Sequence, residues 1–320
     1  MQAAKGKKYH GLKVLFEKEV ADFINSKRML LLILFMIIIT ISGLYAALSG
    51  ISDSVEENAS FIFLKLFTVS ANSIPSYNTF LALLGPFIGL IMGFDAINNE
   101  RSEGTLNRLV SQPVYRDNII IGKFLAGCFI IVIMIFASGI LIGAVGFLQI
   151  GIPPEAEELG RLFVYLCFAI IYIAFWLALS ILFSTVCRHA ATSALATIAV
   201  WLFSAIFVSL LAGIIADAIY PLDNYEGMFN QLNNYNCELN LNRLSPYYLF
   251  SEAASTILSP SIRSINAVTV TQLSGALSGY LSLGQSLLLV WPHLTALCAL
   301  MLIMFAISYV FFMRQEIRAN

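Results

Sequence analysis

Six apolar runs, each near or beyond the length needed to cross a bilayer, constrain this chain more than any other feature. They cover residues 29–48, 79–97, 119–148, 162–186, 190–220 and 287–313. A helix crosses a hydrocarbon core in about 20 residues, so six transmembrane helices are predicted. The third, fifth and sixth runs exceed that length, and such helices tilt, kink or reach past the bilayer. Composition agrees: 59% of the 320 residues are hydrophobic and 12% charged, against roughly 25% charged in an average soluble domain. A soluble fold could not cover this much apolar surface. The expected fold class is an all-α polytopic membrane protein. The net charge of -1 gives no sign of a nucleic-acid partner, because here the placement of charges matters more than their sum.

Lysine and arginine accumulate on the cytoplasmic side of membrane proteins and so set the orientation. Fourteen of them, at positions 5, 7, 8, 13, 18, 27, 28, 101, 108, 116, 123, 188, 314 and 318, fall on one side of the six-span layout. Four fall on the other: Lys65, Arg161, Arg243 and Arg263. Both termini are therefore expected in the cytoplasm, with the chain in the inner (cytoplasmic) membrane of the cell. The layout gives a cytoplasmic N-terminus at 1–28, one transmembrane domain at 29–313 and a tail at 314–320. No cleavable signal peptide is expected, since the residues before the first run are too polar and too numerous for an n-region. Within them, "GLKVLFEKEVADFINSKR" puts Leu12, Leu15, Phe16, Val20, Phe23 and Ile24 on one helical face and Lys13, Glu17, Lys18 and Asp22 on the other. Such a helix lies in the inner interface or packs on other protein.

The largest non-cytoplasmic loop, 221–286, separates the fifth and sixth runs. Its stretch "NYEGMFNQLNNYNCELNLNRLSP" reads as irregular, hydrogen-bonded loop, and "YYLFSEAASTIL" as a helix. The five cysteines form no CxxC or Cys/His metal spacing and read as small hydrophobes. Gly85, Gly89 and Gly93 in the second run, and Gly139 and Gly143 in the third, are four residues apart. That spacing lets helices approach closely, whether within the chain or between copies. Pro86 is expected to kink the second run. Asp95, Lys123 and Asp217 fall near the ends of runs, so Lys123 is expected to snorkel and Asp95 to pair with a loop arginine. His293 reads as an interface residue. No charge is placed in the middle of the membrane domain, which argues against an ion-coupled pump.

The loop after the second run, "NNERSEGTLNRLVSQPVYRDNIIIGK", is different in kind. Glu100 and Glu103 suit the positive end of a helix dipole. Leu106, Leu109 and Val110 share one face, and Gln112–Pro113 stops the helix because a residue before proline is pushed out of the α region. Arg101, Arg108 and Arg116 add basic flanks. A helix of about 100–112 is too short to be stable alone. Its evident use is to dock into a partner's groove and move as a lever.

The same residues carry a resemblance. "ERSEGTLNRLVSQPVYRDNIIIGK" resembles the signature of ABC-2-type permeases, the membrane subunits of a class of ATP-binding-cassette transporters, through Glu100, Glu103, Gly104, Thr105, Leu106, Leu109, Ser111, Pro113, Arg116, Gly122 and Lys123. "LFEKEVADFINSKR" is similar to that family's elbow helix, and "LSPYYLFSEAASTIL" to its segment between spans five and six. The Glu-x-x-Glu-Gly-Thr-Leu form looks most like permeases of copper-enzyme maturation and sodium-export systems. The resemblance implies an exporter permease that dimerises with a second copy. It implies a coupling helix through which a separate ATPase subunit acts, with Glu100, Glu103, Gly104, Thr105, Leu106, Arg108, Leu109, Pro113 and Arg116 as its contacts. An extracytoplasmic accessory protein is a further partner it allows.

No G-x-x-x-x-G-K-[ST] phosphate loop occurs in the sequence. No catalytic, cofactor or metal site is expected in this chain, and ATP and magnesium are expected on the partner ATPase. Two other readings stay open at this point. One is an ATP-independent secondary transporter, which should show inverted repeats and broken helices. The other is a mechanotransmitting or assembly protein on the same scaffold.

Overall fold

In the computed structural model, which describes residues 2–55, 61–71, 74–104, 115–151, 153–222, 227–262 and 280–315, each apolar run is a helix. Among these residues six helices are long and apolar enough to cross a membrane: Lys27–Gly50, Tyr77–Ser102, Arg116–Ile150, Ala156–Val186, Ala190–Ile219 and Leu283–Arg314, here spans one to six. The elements in chain order are α1 (Gln2–Ile24), α2 (Lys27–Val55, span one), α3 (Ile62–Thr68), α4 (Tyr77–Gly93) with α5 (Asn98–Ser102, span two), α6 (Arg116–Ile150, span three) and α7 (Ala156–Val186, span four). Then come α8 (Ala190–Leu202), a π-helical turn (Phe203–Phe207) and α9 (Val208–Ile219), which together make span five. The elements α10 (Gly227–Asn242), α11 (Pro246–Leu258) and α12 (Leu283–Arg314, span six) complete the chain. No strand occurs among the described residues, only an isolated bridge between Ala71 and Ile74.

Span four is the axis of the bundle, packed by spans two, three and six. Small residues make its contact with span two possible. A Cβ on Gly89 would stand 2.6 Å from the Leu177 nitrogen and 2.7 Å from the Ile173 carbonyl, and one on Gly93 2.7 Å from the Ser180 Cβ. Gly85 faces Ile173 on the same helix, Gly139 of span three faces Leu166, and Gly143 faces Phe63 of α3. All five glycines thus serve close approaches inside this chain. Pro86 cannot donate to the Ala82 carbonyl four residues back. The Tyr172 hydroxyl of span four donates to that carbonyl at 2.8 Å instead.

Span four begins at Ala156, earlier than its apolar run, because Glu155 and Glu158 form a reciprocal capping box at its start. One turn on, Arg161 is fully buried. It donates to the Ile257 carbonyl (2.9 Å), the Ser286 hydroxyl (3.1 Å) and Glu157 (3.0 Å), and so ties the C-terminus of α11 and the start of span six to span four.

The Asn-rich stretch is the clearest departure from expectation. It forms helix α10 rather than irregular loop. A polar helix shows no apolar period to read, and this one is held from outside: the Asn234 amide donates to Asp217 (2.8 Å) and to the Tyr220 carbonyl (3.0 Å) of span five. Helix α11 then runs back alongside the spans. Its N-cap Ser245 donates to the carbonyl of Ser204, midway along span five, at 2.7 Å. Phe250 stacks on Tyr172, midway along span four, with centroids 4.5 Å apart. Helix α11 therefore packs inside the bundle, against spans two, four and six, while α10 packs on the second half of span five.

Candidate functional site

At the end of the bundle that carries α1 and the last turn of span six, charged residues from four elements converge. Helix α1 lies along span three, with Leu15 against Gly122 and Phe16 against Phe129. Its Glu19 sits in the apolar stripe, flanked by Leu15, Phe16 and Phe23, and is buried. A carboxylate there needs a cation, and Lys123 of span three supplies it at 3.0 Å. Lys123 also reaches Glu100 of α5 at 2.7 Å. It does not snorkel: its side chain is 6% exposed, enclosed between the two carboxylates. Lys18 adds contacts to Glu19 and Asp22, both at 3.1 Å, and to Glu100 at 3.8 Å. Burial works to lower the Lys18 pKa, but Glu19, with Asp22 and Glu100, outweighs it and raises the ammonium above its ordinary range.

Asp95 pairs bidentately with Arg28 at the start of span one, not with a loop arginine. Arg28 also lies 5.7 Å from the centre of the Phe94 ring. Between the two groups opens a cleft of about 490 Å³, whose charged lining counts Glu19, Asp22, Asp95, Glu100 and Glu103 against Lys18, Arg28 and Lys123. Five carboxylates to three cations leave it negative.

The two ends of the charged loop are both fastened. Ahead of it, the backbone N–H groups of Ile97 and Asn98 donate to Ser184 of span four at 3.0 and 3.3 Å. Arg101 bonds the Thr185 carbonyl at 3.4 Å and the Gln315 side chain beyond span six. After the loop, Arg116 donates to the carbonyls of Phe312 (3.1 Å) and Gln315 (3.0 Å). Its guanidinium lies 5.6 Å from the Phe312 ring centre.

A single helix over about 100–112 is not what the described residues form. Helix α5 stops at Ser102, Glu103 caps its C-terminus and accepts from Asn99 at 3.1 Å, and Gly104 turns the chain with φ +69°. Glycine populates that left-handed region without strain. Thr105, Leu106, Arg108, Leu109 and Pro113 lie outside the described residues. Sequence reasoning missed Lys18, Glu19, Arg28, Ser184 and Gln315. Glu19 alone left a signal, as a carboxylate inside an apolar helical stripe.

A second cluster lies where α11 packs on span six. Glu252 of α11 accepts from Arg243 through Nε and Nη2, both at 2.9 Å, and bonds His293 Nε2 of span six at 2.6 Å. His293 is 4% exposed, so it is no interface residue. The bundle interior therefore does hold charge, brought in by a segment whose position in sequence suggested a loop.

Comparison with known proteins adds the family. A model described as "ABC-2 family transporter protein" matches residues 13–317. Two curated relatives are each called "Probable ABC transporter permease protein NosY". One, from Stutzerimonas stutzeri, is 36% identical over 98 residues, 30% of this chain and 34% of that protein. The other, from Pseudomonas aeruginosa, is 30% identical over 141 residues, 44% of this chain and 46% of that protein. The matched part of the chain thus spans between a third and a half of those relatives' length.

Proposed function

The chain belongs to the ABC-2 family of transporter proteins, and from that premise we propose that it is the permease subunit of an ATP-binding-cassette transporter. Segment 105–114 receives motion from a separate ATPase subunit, which binds the ATP and magnesium. The observation that carries this reading is the double anchoring of that segment. One end is tied to α1, span three and span four through Glu100, Lys123, Ser184 and Arg101, and the other to span six through Arg116. A push delivered between residues 104 and 115 reaches four elements through short, enclosed contacts. Glu100, Glu103, Gly104, Thr105, Leu106, Arg108, Leu109, Pro113 and Arg116 form or frame the docking segment. The negative cleft beside it suits a basic face on the partner.

In this reading the protein sits in the inner membrane with both termini in the cytoplasm, works with a second permease copy, and exports its cargo. Helix α10 and the ends of spans five and six offer a place for an extracytoplasmic accessory protein. The relatives named as permeases support the assignment without fixing the cargo.

The test is co-purification with a candidate ATPase subunit. Leu106→Asp and Leu109→Asp are expected to abolish recovery of the ATPase, while Gly213→Ala, at an open position in span five, leaves it unchanged. Equal recovery with all three variants, each correctly inserted, would overturn the assignment of the docking segment.

A further inference from the structure

The charged surface at the joined ends of spans four and six belongs to neither buried cluster. We propose that Arg188 and Arg314, backed by Arg101 and Arg116, hold the phosphate of an anionic phospholipid against those two helix ends. This holds whether or not the chain is a permease.

Position is set by the spans themselves. Span four ends at Val186 and span five begins at Ala190, so Arg188 lies within one turn of both apolar helices. Arg314 is the last residue of span six. The two helix ends meet, because the Gln315 side-chain amide donates to the Thr185 carbonyl at 2.6 Å. Arg101 bridges the same two places through the Thr185 carbonyl and the Gln315 side chain. Arg116 takes the carbonyls of Phe312 and Gln315.

Guanidinium groups thus gather at a pair of helix C-termini. Each such end offers about half a negative charge, and Arg101 and Arg116 already occupy both. The Arg188 charge repels that of Arg101. Among the described residues no carboxylate bonds to Arg101, Arg116, Arg188 or Arg314. Asp117 accepts instead from the Asn118 N–H at 3.1 Å, and Glu103 from Asn99 at 3.1 Å. The enclosed Nε–H of Arg116 meets no acceptor among the described residues. Arg188 and Arg314 are exposed. Cations gathered without a carboxylate draw their counter-anion from outside, and the planar guanidinium fork matches the oxygens of a phosphate.

The neighbouring surface selects a lipid over a soluble anion. Val186 is 50% exposed, Phe311 49% and Met313 39%. They lie within three residues of the two outer arginines and carry the apolar surface of spans four and six up to them. An apolar wall under a cationic rim accommodates acyl chains and headgroup together. An acidic protein surface would meet the rim and leave the wall uncovered.

The experiment is native mass spectrometry of the full chain, released from detergent that holds phosphatidylglycerol and phosphatidylcholine with the same acyl chains, at fixed ionic strength. The wild type is expected to retain phosphatidylglycerol in preference. Arg188→Gln and Arg314→Gln should each cut that preference about fivefold, the weight of one cation near a charged membrane surface. Lys13→Gln, on the exposed face of α1, should leave it unchanged. Arg188→Met, which keeps the alkyl stem, serves in place of a glutamine variant that fails to insert. Equal retention of the two lipids by the wild type, or a preference that survives loss of both arginines, would overturn the proposal. So would displacement of the lipid by an equal concentration of inorganic phosphate, which would make the site one for a free anion. A double variant that keeps the preference but no longer co-purifies with the ATPase would assign the arginines to that partner instead.

Discussion

At the end of the bundle that carries α1 a lysine is held between two carboxylates; on α11 a carboxylate is held between an arginine and a histidine. Both clusters join elements distant in sequence, and both are enclosed. They differ in which member is central. Lys123 is shared by Glu19 and Glu100 and clamps α1, α5 and span three together. Glu252 is shared by Arg243 and His293 and fastens α11 to span six. The first node has a cation at its centre, the second an anion.

The comparison can be broken most severely at Lys123. Lys123→Met leaves Glu19 and Glu100 enclosed with only the more exposed Lys18 beside them. Removing one partner of a buried ion pair costs about 3–5 kcal/mol, and thermal unfolding in detergent should show a loss of that order. Lys123→Met combined with Glu19→Gln and Glu100→Gln should recover much of it, because no carboxylate is then stranded. A triple variant as unstable as the single one would mean that packing, not charge, sets the cost.

Ser245→Ala probes α11 without touching the charges around Glu252. It removes an N-cap and the donor to the Ser204 carbonyl, at about 1–2 kcal/mol. The loss should show as faster exchange at the start of α11 while α1 is unaffected. Equal change in both would deny that the two regions are separable.

The smallest expected effect is that of alkali on Lys18. Its pKa is raised in the folded protein, so its contribution is complete below the ordinary lysine value of about 10.4 and fades as pH climbs through the raised one. Proteolytic sensitivity of α1 should accordingly stay constant through neutral pH and increase only in strong alkali. An increase below pH 9 would contradict the ion pairing described.

Much of the architecture was legible because the bilayer does the selecting. Six runs of sufficient length had to be spans, and Gly85, Gly89 and Gly93 had to be at a close contact. The charged loop stood out by its density of matched residues, although Gly104 breaks the helix expected through it. Pairings could not be read. Four described helices lie between Glu19 and Lys123 in the sequence, and nothing local links Arg28 to Asp95. The Asn-rich stretch that forms α10 was misread for a different reason. Asparagines carry loop propensity, and neighbours on span five override it. A lone Glu252 in an otherwise apolar helix and a lone His293 within an apolar run were the available clues, each asking for the other.

The π-helical turn at Phe203–Phe207 has a consequence for span five itself. Such a turn accommodates one residue more than an α-helix would, and one residue is roughly 100° of rotation. The stretch from Val208 onward is thus aimed about a quarter-circle away from where the preceding stretch would have directed it. Asp217, which accepts from Asn234, lies beyond that offset. Excising a single amino acid between 203 and 207 would straighten the helix and swing Asp217 out of reach, leaving α10 without its partner.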